Sequence, residues 1–278
     1  MISKEALLLA VHSSVMANAY FERLGEGRYH AGDATSSPWG HGLQHGSPPT
    51  TLLVRALNEA YPREDVRVAR VASEFLGAIP QGEIEVRTTV VRPGKRIELL
   101  EATLSANGRD VVRTSVWRIA RTPGLHVPPG VTPAPVPPRR PSAPTPGAAF
   151  GLSGWGYAKS IEWRFAEGGF NALGPAQVWT RVLAPLFPDV PPTPLERLLL
   201  IVDSANGISG ELPFKEWLFV PPSLSIALAR EPRGEWIFMD AATELSDDGG
   251  AFTTARLADD DGYLGVATQT LFVEPRTA

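Results

Sequence analysis

The chain has 278 residues, 43% of them apolar, with a formal net charge of −4 and a pI near 5.8. That suffices for one large domain or two ordinary ones, and the acidic balance gives no electrostatic support for nucleic-acid binding. No cysteine is present, which excludes disulfides, thiolate metal sites and cysteine nucleophiles, and no apolar run is long enough to span a membrane.

Residues 1–24 are helix-prone and lead to Phe21-Glu-Arg-Leu24. Glu5 interrupts the early apolar patch and His12 closes it, which does not fit a signal peptide and makes the cytoplasm the expected compartment. A short strand is predicted over Gly27–Ala31, then a loop rich in Ser, Pro and Gly running to Gln44-His-Gly-Ser47. Ser47 followed by Pro48 starts a helix whose stripe is Leu52, Leu53, Ala56, Leu57 and Ala60, and Pro62 ends it. Four strands follow, at Val66–Leu76, Glu83–Val91, Arg96–Ser105 and Asp110–Ala120. The last two are joined by Asn107-Gly108, a strong hairpin signal.

Residues 121–147 hold about ten of the chain's 27 prolines and read as a stiff, extended linker. Beyond them the pattern repeats. Strands at Ile161–Phe165 and Gln177–Leu183 precede a helix over 193–206, and strands at Glu216–Ala229, Glu235–Ala242, Ala251–Ala258 and Tyr263–Val273 follow it. The fold class is therefore α+β, a tandem of two units, each an antiparallel sheet of five or six strands wrapped around a buried helix. That is the double hot-dog architecture, with a unit over 1–122, a Pro-rich linker over 123–148 and a second unit over 149–278.

The second helix concentrates the chemistry. Thr193, Pro194 and Glu196 form a capping box, Leu198 to Val202 is apolar all round, and Gly207 suits a left-handed stop. A carboxylate, Asp203, sits at its end, where burial would cost several kcal/mol unless the group is paired. Either the helix is leaving the core there, or Asp203 has a function. Gln269, on the last strand among apolar neighbours, is a second inward polar candidate. Ser223 and Ser225, two apart on one strand face, are a third. A carboxylate, an amide and a hydroxyl together can hold and activate one water. There is no G-x-S-x-G, no glycine-rich phosphate loop and no metal-ligand spacing among the five histidines.

The chain resembles the double hot-dog acyl-CoA thioesterase family. In the first half the likeness is carried by Pro38-Trp39, Gln44-His-Gly46, Phe75-Leu-Gly-Ala-Ile-Pro80 and Val91-Arg-Pro-Gly-Lys-Arg96. In the second half it is carried by Ile161-Glu-Trp-Arg164, Asp203-Ser-Ala-Asn-Gly207, Glu216-Trp-Leu-Phe219, Gly234-Glu-Trp236, Asp261-Gly262 and Gln269-Thr-Leu271. The resemblance implies hydrolysis of an acyl-CoA by a water oriented by an Asp, a Gln and a hydroxyl. Asp203 takes the Asp role, Gln269 the Gln role, and either Ser223 or Ser225 the hydroxyl role. In the first half, Leu57 and Asn58 stand where the second helix has Asp203, and Ser115 stands at the Gln269 place. Only the second half thus carries the set.

Gln44, His45 and Gly46, just before the first helix, are candidates to aim backbone N–H groups at a carbonyl oxygen. Arg92, Lys95 and Arg96, around a Pro-Gly turn, are candidates for the CoA phosphates. No metal or redox cofactor is implied. The expected partner is a small acyl-CoA, with neither nucleic acid nor membrane, and self-association is an expectation for hot-dog sheets. The rival readings are a catalytically silent acyl-thioester binder and an enoyl-thioester hydratase. The hydratase calls for an Asp–His pair, and no histidine lies near the second helix in sequence.

Overall fold

The computed structural model describes residues 19–126, 128, 135–145, 155–170 and 172–276. The helical expectation for residues 1–18 lies outside them; Phe21–Gly25, at the end of that stretch, is a strand.

Among the described residues, twelve strands form one continuous sheet. They are β1 (Phe21–Gly25), β2 (Arg28–Ala31), β3 (Val66–Phe75), β4 (Gly82–Arg92), β5 (Ile97–Ala106) and β6 (Arg109–Ala120) in the first half. The second half supplies β7 (Ile161–Glu167), β8 (Ala176–Val182), β9 (Trp217–Leu228), β10 (Trp236–Leu245), β11 (Gly250–Asp259) and β12 (Gly262–Pro275). The order is β1-β2-β4-β5-β6-β3-β9-β12-β11-β10-β8-β7, which reads identically from either edge once the halves are matched strand for strand. The tandem hot-dog expectation holds, with one refinement. The two six-stranded sheets are fused, because β3 and β9 pair antiparallel through Ala72 and Ser225. That pairing removes what would be an open edge on each unit.

Local chemistry accounts for the hairpins. Asn107 and Gly108 both have positive φ, 50° and 72°, as the tight turn between β5 and β6 requires. Outside the sheet, α1 (Ser47–Ala60) and α3 (Pro194–Val202) lie against each other, and short turns α2 (Gly156–Lys159) and α4 (Ala205–Ile208) flank the second. Leu52, Leu53 and Leu57 of α1 and Leu198 to Ile201 of α3 are fully buried, so the two helices form the middle of the main core. Arg55 of α1 meets Glu196 of α3 at 2.8 Å.

The capping box is present: Thr193 Oγ1 accepts from Glu196 N–H at 3.3 Å, and Glu196 Oε2 accepts from Thr193 N–H at 2.7 Å. Thr193→Ala should lower unfolding free energy by about 1 kcal/mol, measured as a lower urea midpoint at unchanged m-value. The helix ends earlier than its composition suggests. Asp203 is its C-cap, and Gly207 lies inside α4 without positive φ. The Asp203 N–H turns to Ser47 Oγ at 3.2 Å, across the helix pair.

Within the proline-rich stretch, residues 135–145 have no regular secondary structure, bend at 142–143 and dock on the second half. Trp179 Nε1 donates to Pro138 O, Arg164 donates to Pro141 O and Ser142 O, and Arg140 lies over the Trp236 ring.

Candidate active site

Asp203 does not exit to water. It is 4% exposed at the junction of α3 with the start of α1, and it lines a cavity of about 740 Å3. Gln269 of β12, 1% exposed, reaches it from the sheet: its Nε2 donates to Asp203 O at 3.0 Å and to Oδ1 at 2.8 Å. The amide is fixed from behind, because Oε1 accepts from Asn206 N–H at 3.0 Å. Both hydrogens of that amide are thus spent on Asp203, so Gln269 orients the carboxylate.

Gly46 completes the carboxylate's environment from the first half. Its N–H donates to Asp203, placing the N-terminal end of α1 against the acid. A Cβ on Gly46 would fall 2.6 Å from Asp203 Oδ2 and 2.7 Å from the Phe75 ring, so only glycine allows this approach.

The sequence reasoning missed the side chain of His45. Its Nδ1 lies 3.5 Å from Asp203 Oδ2, so an Asp–His pair does exist. Histidine and aspartate belong to different halves, about 160 residues apart, and only the contact of α1 with α3 unites them. The ring is clamped: it stacks on Tyr157 at 3.9 Å and 8°, and Nδ1 accepts from Ser47 N–H at 3.2 Å. Tyr157, from α2, is itself held by Leu200 O at 2.9 Å and Ser204 Oγ at 2.7 Å. No periodicity pointed to Tyr157; the signal for His45 was its place directly before a helix.

Burial dominates the electrostatics. Desolvation pushes the Asp203 carboxyl up to about 7, against the lowering effect of the Gln269 and Gly46 hydrogen bonds. It pushes the His45 imidazole down to about 3. Near pH 6 the pair is therefore a neutral acid beside a neutral ring, not an ion pair. Because Nδ1 accepts from Ser47, the proton of the neutral ring sits on Nε2. Gln269→Ala should move the pH midpoint of activity above that of the wild type and cut kcat/KM roughly 10- to 100-fold, since it removes a bond that favours the carboxylate. A pH–rate profile of the variant measures both.

Other candidates fall elsewhere. Ser223 and Ser225 pair with Thr270 and Thr268, both exposed, whereas Gln269 pairs with buried Leu224. Directly paired residues share a face, so both serines lie on the outer face, and the β9 residue facing the site is Leu224. The internal comparison also shifts. Counted from the hairpin, Gln269 corresponds to Val116 rather than Ser115, and counted from the N-caps Gly46 and Thr193, Asp203 corresponds to Ala56.

The backbone donors at residues 44–46 are committed, to Ile79 O, Thr35 O and Asp203, and the Gln44 side chain donates to Pro80 O. Arg92, Lys95 and Arg96 lie exposed on the β4–β5 turn and line no part of the cavity, while Arg92 Nη1 donates to Ile97 O.

No helix among the described residues is long and apolar enough to cross a membrane. No curated protein matches the chain in sequence. Among solved structures it is similar to a candidate thioesterase II from Thermobifida fusca YX (16% identity, 95% of this chain and 97% of that one, TM-score 0.67). It is similar too to a hot-dog protein of unknown function from Alicyclobacillus acidocaldarius (14%, 95% and 98%, 0.66). A third is the acyl-CoA thioesterase II TesB2 from Mycobacterium marinum (15%, 96% and 98%, 0.61). At these identities the likeness shows the fold. Family models speak to more: the acyl-CoA thioesterase N-terminal domain matches residues 35–119, and the acyl-CoA thioesterase C-terminal domain matches residues 129–273. Since the two matches account for most of the chain, and the second alone for more than half, the chain belongs to the acyl-CoA thioesterase family.

Proposed function

We propose that the protein hydrolyses an acyl-CoA at the Asp203 site, releasing the free acid and coenzyme A. The observation that carries this reading is a buried carboxylate, held through Oδ1 by the Gln269 amide, at the wall of a largely apolar cavity. Asp203 takes a proton from a water as its oxygen attacks the thioester carbonyl carbon. The C–S bond then breaks, its electron pair goes to sulfur, and the thiolate takes the proton back from Asp203. A base with pKa near neutrality suits both transfers. Gln269 holds the carboxylate in one rotamer. His45 Nε2–H donates to the carbonyl oxygen as negative charge grows there, replacing the backbone donors expected at residues 44–46.

The Asp203–His45 contact also favours a second reading, addition of water across an enoyl thioester. One experiment separates the two. Saturated and 2-enoyl-CoAs are offered, thiol release is followed by a thiol reagent, and loss of the enoyl chromophore is followed by absorbance. Thiol release from saturated substrates, abolished in Asp203→Asn, supports hydrolysis. Chromophore loss without thiol release supports hydration. Silence in both channels, with acyl-CoA binding seen by calorimetry, restores the silent binder.

A further inference from the structure

Seven of the 22 residues lining the Asp203 cavity are Trp, Tyr or Phe, against 8% of the chain, while leucine contributes two and isoleucine and valine none. The enrichment is about fourfold, and it is spread over four separate segments. Trp39 comes from the loop before α1, Trp155 from the residue before α2, Trp163 and Phe170 from β7 and the turn after it, and Phe214 and Phe219 from the approach to β9 and its start. These rings meet mostly edge to face: Trp39 on Phe219 at 86°, Trp163 on Phe170 at 79°, and Phe214 on Phe219 at 82°. Trp39 and Trp155 meet Phe214 at 47° and 58°, and rings set at such steep angles offer an incoming group both faces and edges, the two partners an aromatic ring prefers. They also resist repacking, because each braces the next, so the walls cannot mould themselves around a flexible chain as Leu or Met side chains would.

On these grounds we infer that the acyl group recognised here carries an aromatic ring, an arylalkanoyl thioester being preferred over a straight-chain one of equal carbon number. The inference rests on the hydrolytic reading for its catalytic readout, but the cavity's preference is measurable without it. At about 740 Å3 the space is ample for a phenylalkanoyl group with part of the pantetheine arm. Two favourable ring contacts in place of aliphatic ones correspond to about a tenfold preference.

The test uses carbon-matched pairs: phenylacetyl- with octanoyl-CoA, 3-phenylpropionyl- with nonanoyl-CoA, and 4-phenylbutyryl- with decanoyl-CoA. For the best pair, kcat/KM should favour the aryl substrate about tenfold. Phe214→Leu and Phe170→Leu, at partly exposed positions, should each lower that ratio at least about threefold. A wild-type ratio below about three in every pair, or a ratio that neither variant lowers, overturns the inference. Should no substrate release thiol, the hydrolytic reading fails separately. Calorimetric Kd values for the same pairs then decide the preference by the same threshold.

Discussion

Asp203→Asn should lower kcat/KM by roughly 10²- to 10⁴-fold, the range of a positioned general base, while leaving the fold intact. Asparagine keeps the shape and can still meet the Gln269 amide, but it cannot take a proton. The pH dependence is the sharper measurement. Burial raises the carboxyl to about 7, so wild-type kcat/KM should climb tenfold per unit up to about that pH and then level. The variant's residual rate should lack this limb. A wild-type profile flat from pH 5 to 8, or a variant with the limb intact, would put the base elsewhere.

The same shift has a stability consequence of definite sign. A folded-state pKa above the unfolded value of 3.8 means that the native protein holds the proton more tightly. The Asp203 contribution is fully present below pH 4 and is lost as pH rises through about 7, where a buried carboxylate must be carried. The loss amounts to a few kcal/mol, moderated by the donors from Gln269 and Gly46.

How far this was legible in the chain depended on whether the information was periodic. Alternation along β4 and β12, the Asn107-Gly108 turn and the Thr193 capping box are local, and each stands where the residue pattern puts it. Their repetition made the tandem visible. Asp203 and Gln269 were legible because polar groups among buried neighbours carry an energetic cost that must be met somewhere. Ser223 and Ser225 failed on parity: one residue's offset along β9 turns a side chain from the core to the outer face, and Leu224 takes the inward place. His45 and Tyr157 were illegible for another reason. Their meeting depends on which loop ends packing of α1 against α3 brings together, and no period or spacing encodes that.

His45→Ala should reduce kcat by roughly 10²- to 10³-fold with a much smaller change in KM, the signature of a donor whose bond strengthens only as charge develops on the carbonyl oxygen. The argument is geometric first. Ser47 N–H occupies Nδ1, the ring is clamped flat against Tyr157, and the ring borders the cavity that Asp203 also lines. A neutral imidazole so fixed presents Nε2–H without reorganisation when the oxyanion forms. Burial keeps the ring neutral far below physiological pH, with its pKa pushed down to about 3. His45 should therefore add no second limb to the pH–rate profile between 5 and 8. A histidine acting instead as the general base would need the same neutral ring and would make Asp203 only its orienting partner. His45→Gln distinguishes these roles. Its amide offers an N–H but no useful proton affinity, so it should recover part of the lost kcat if the ring is a donor and none if the ring is a base.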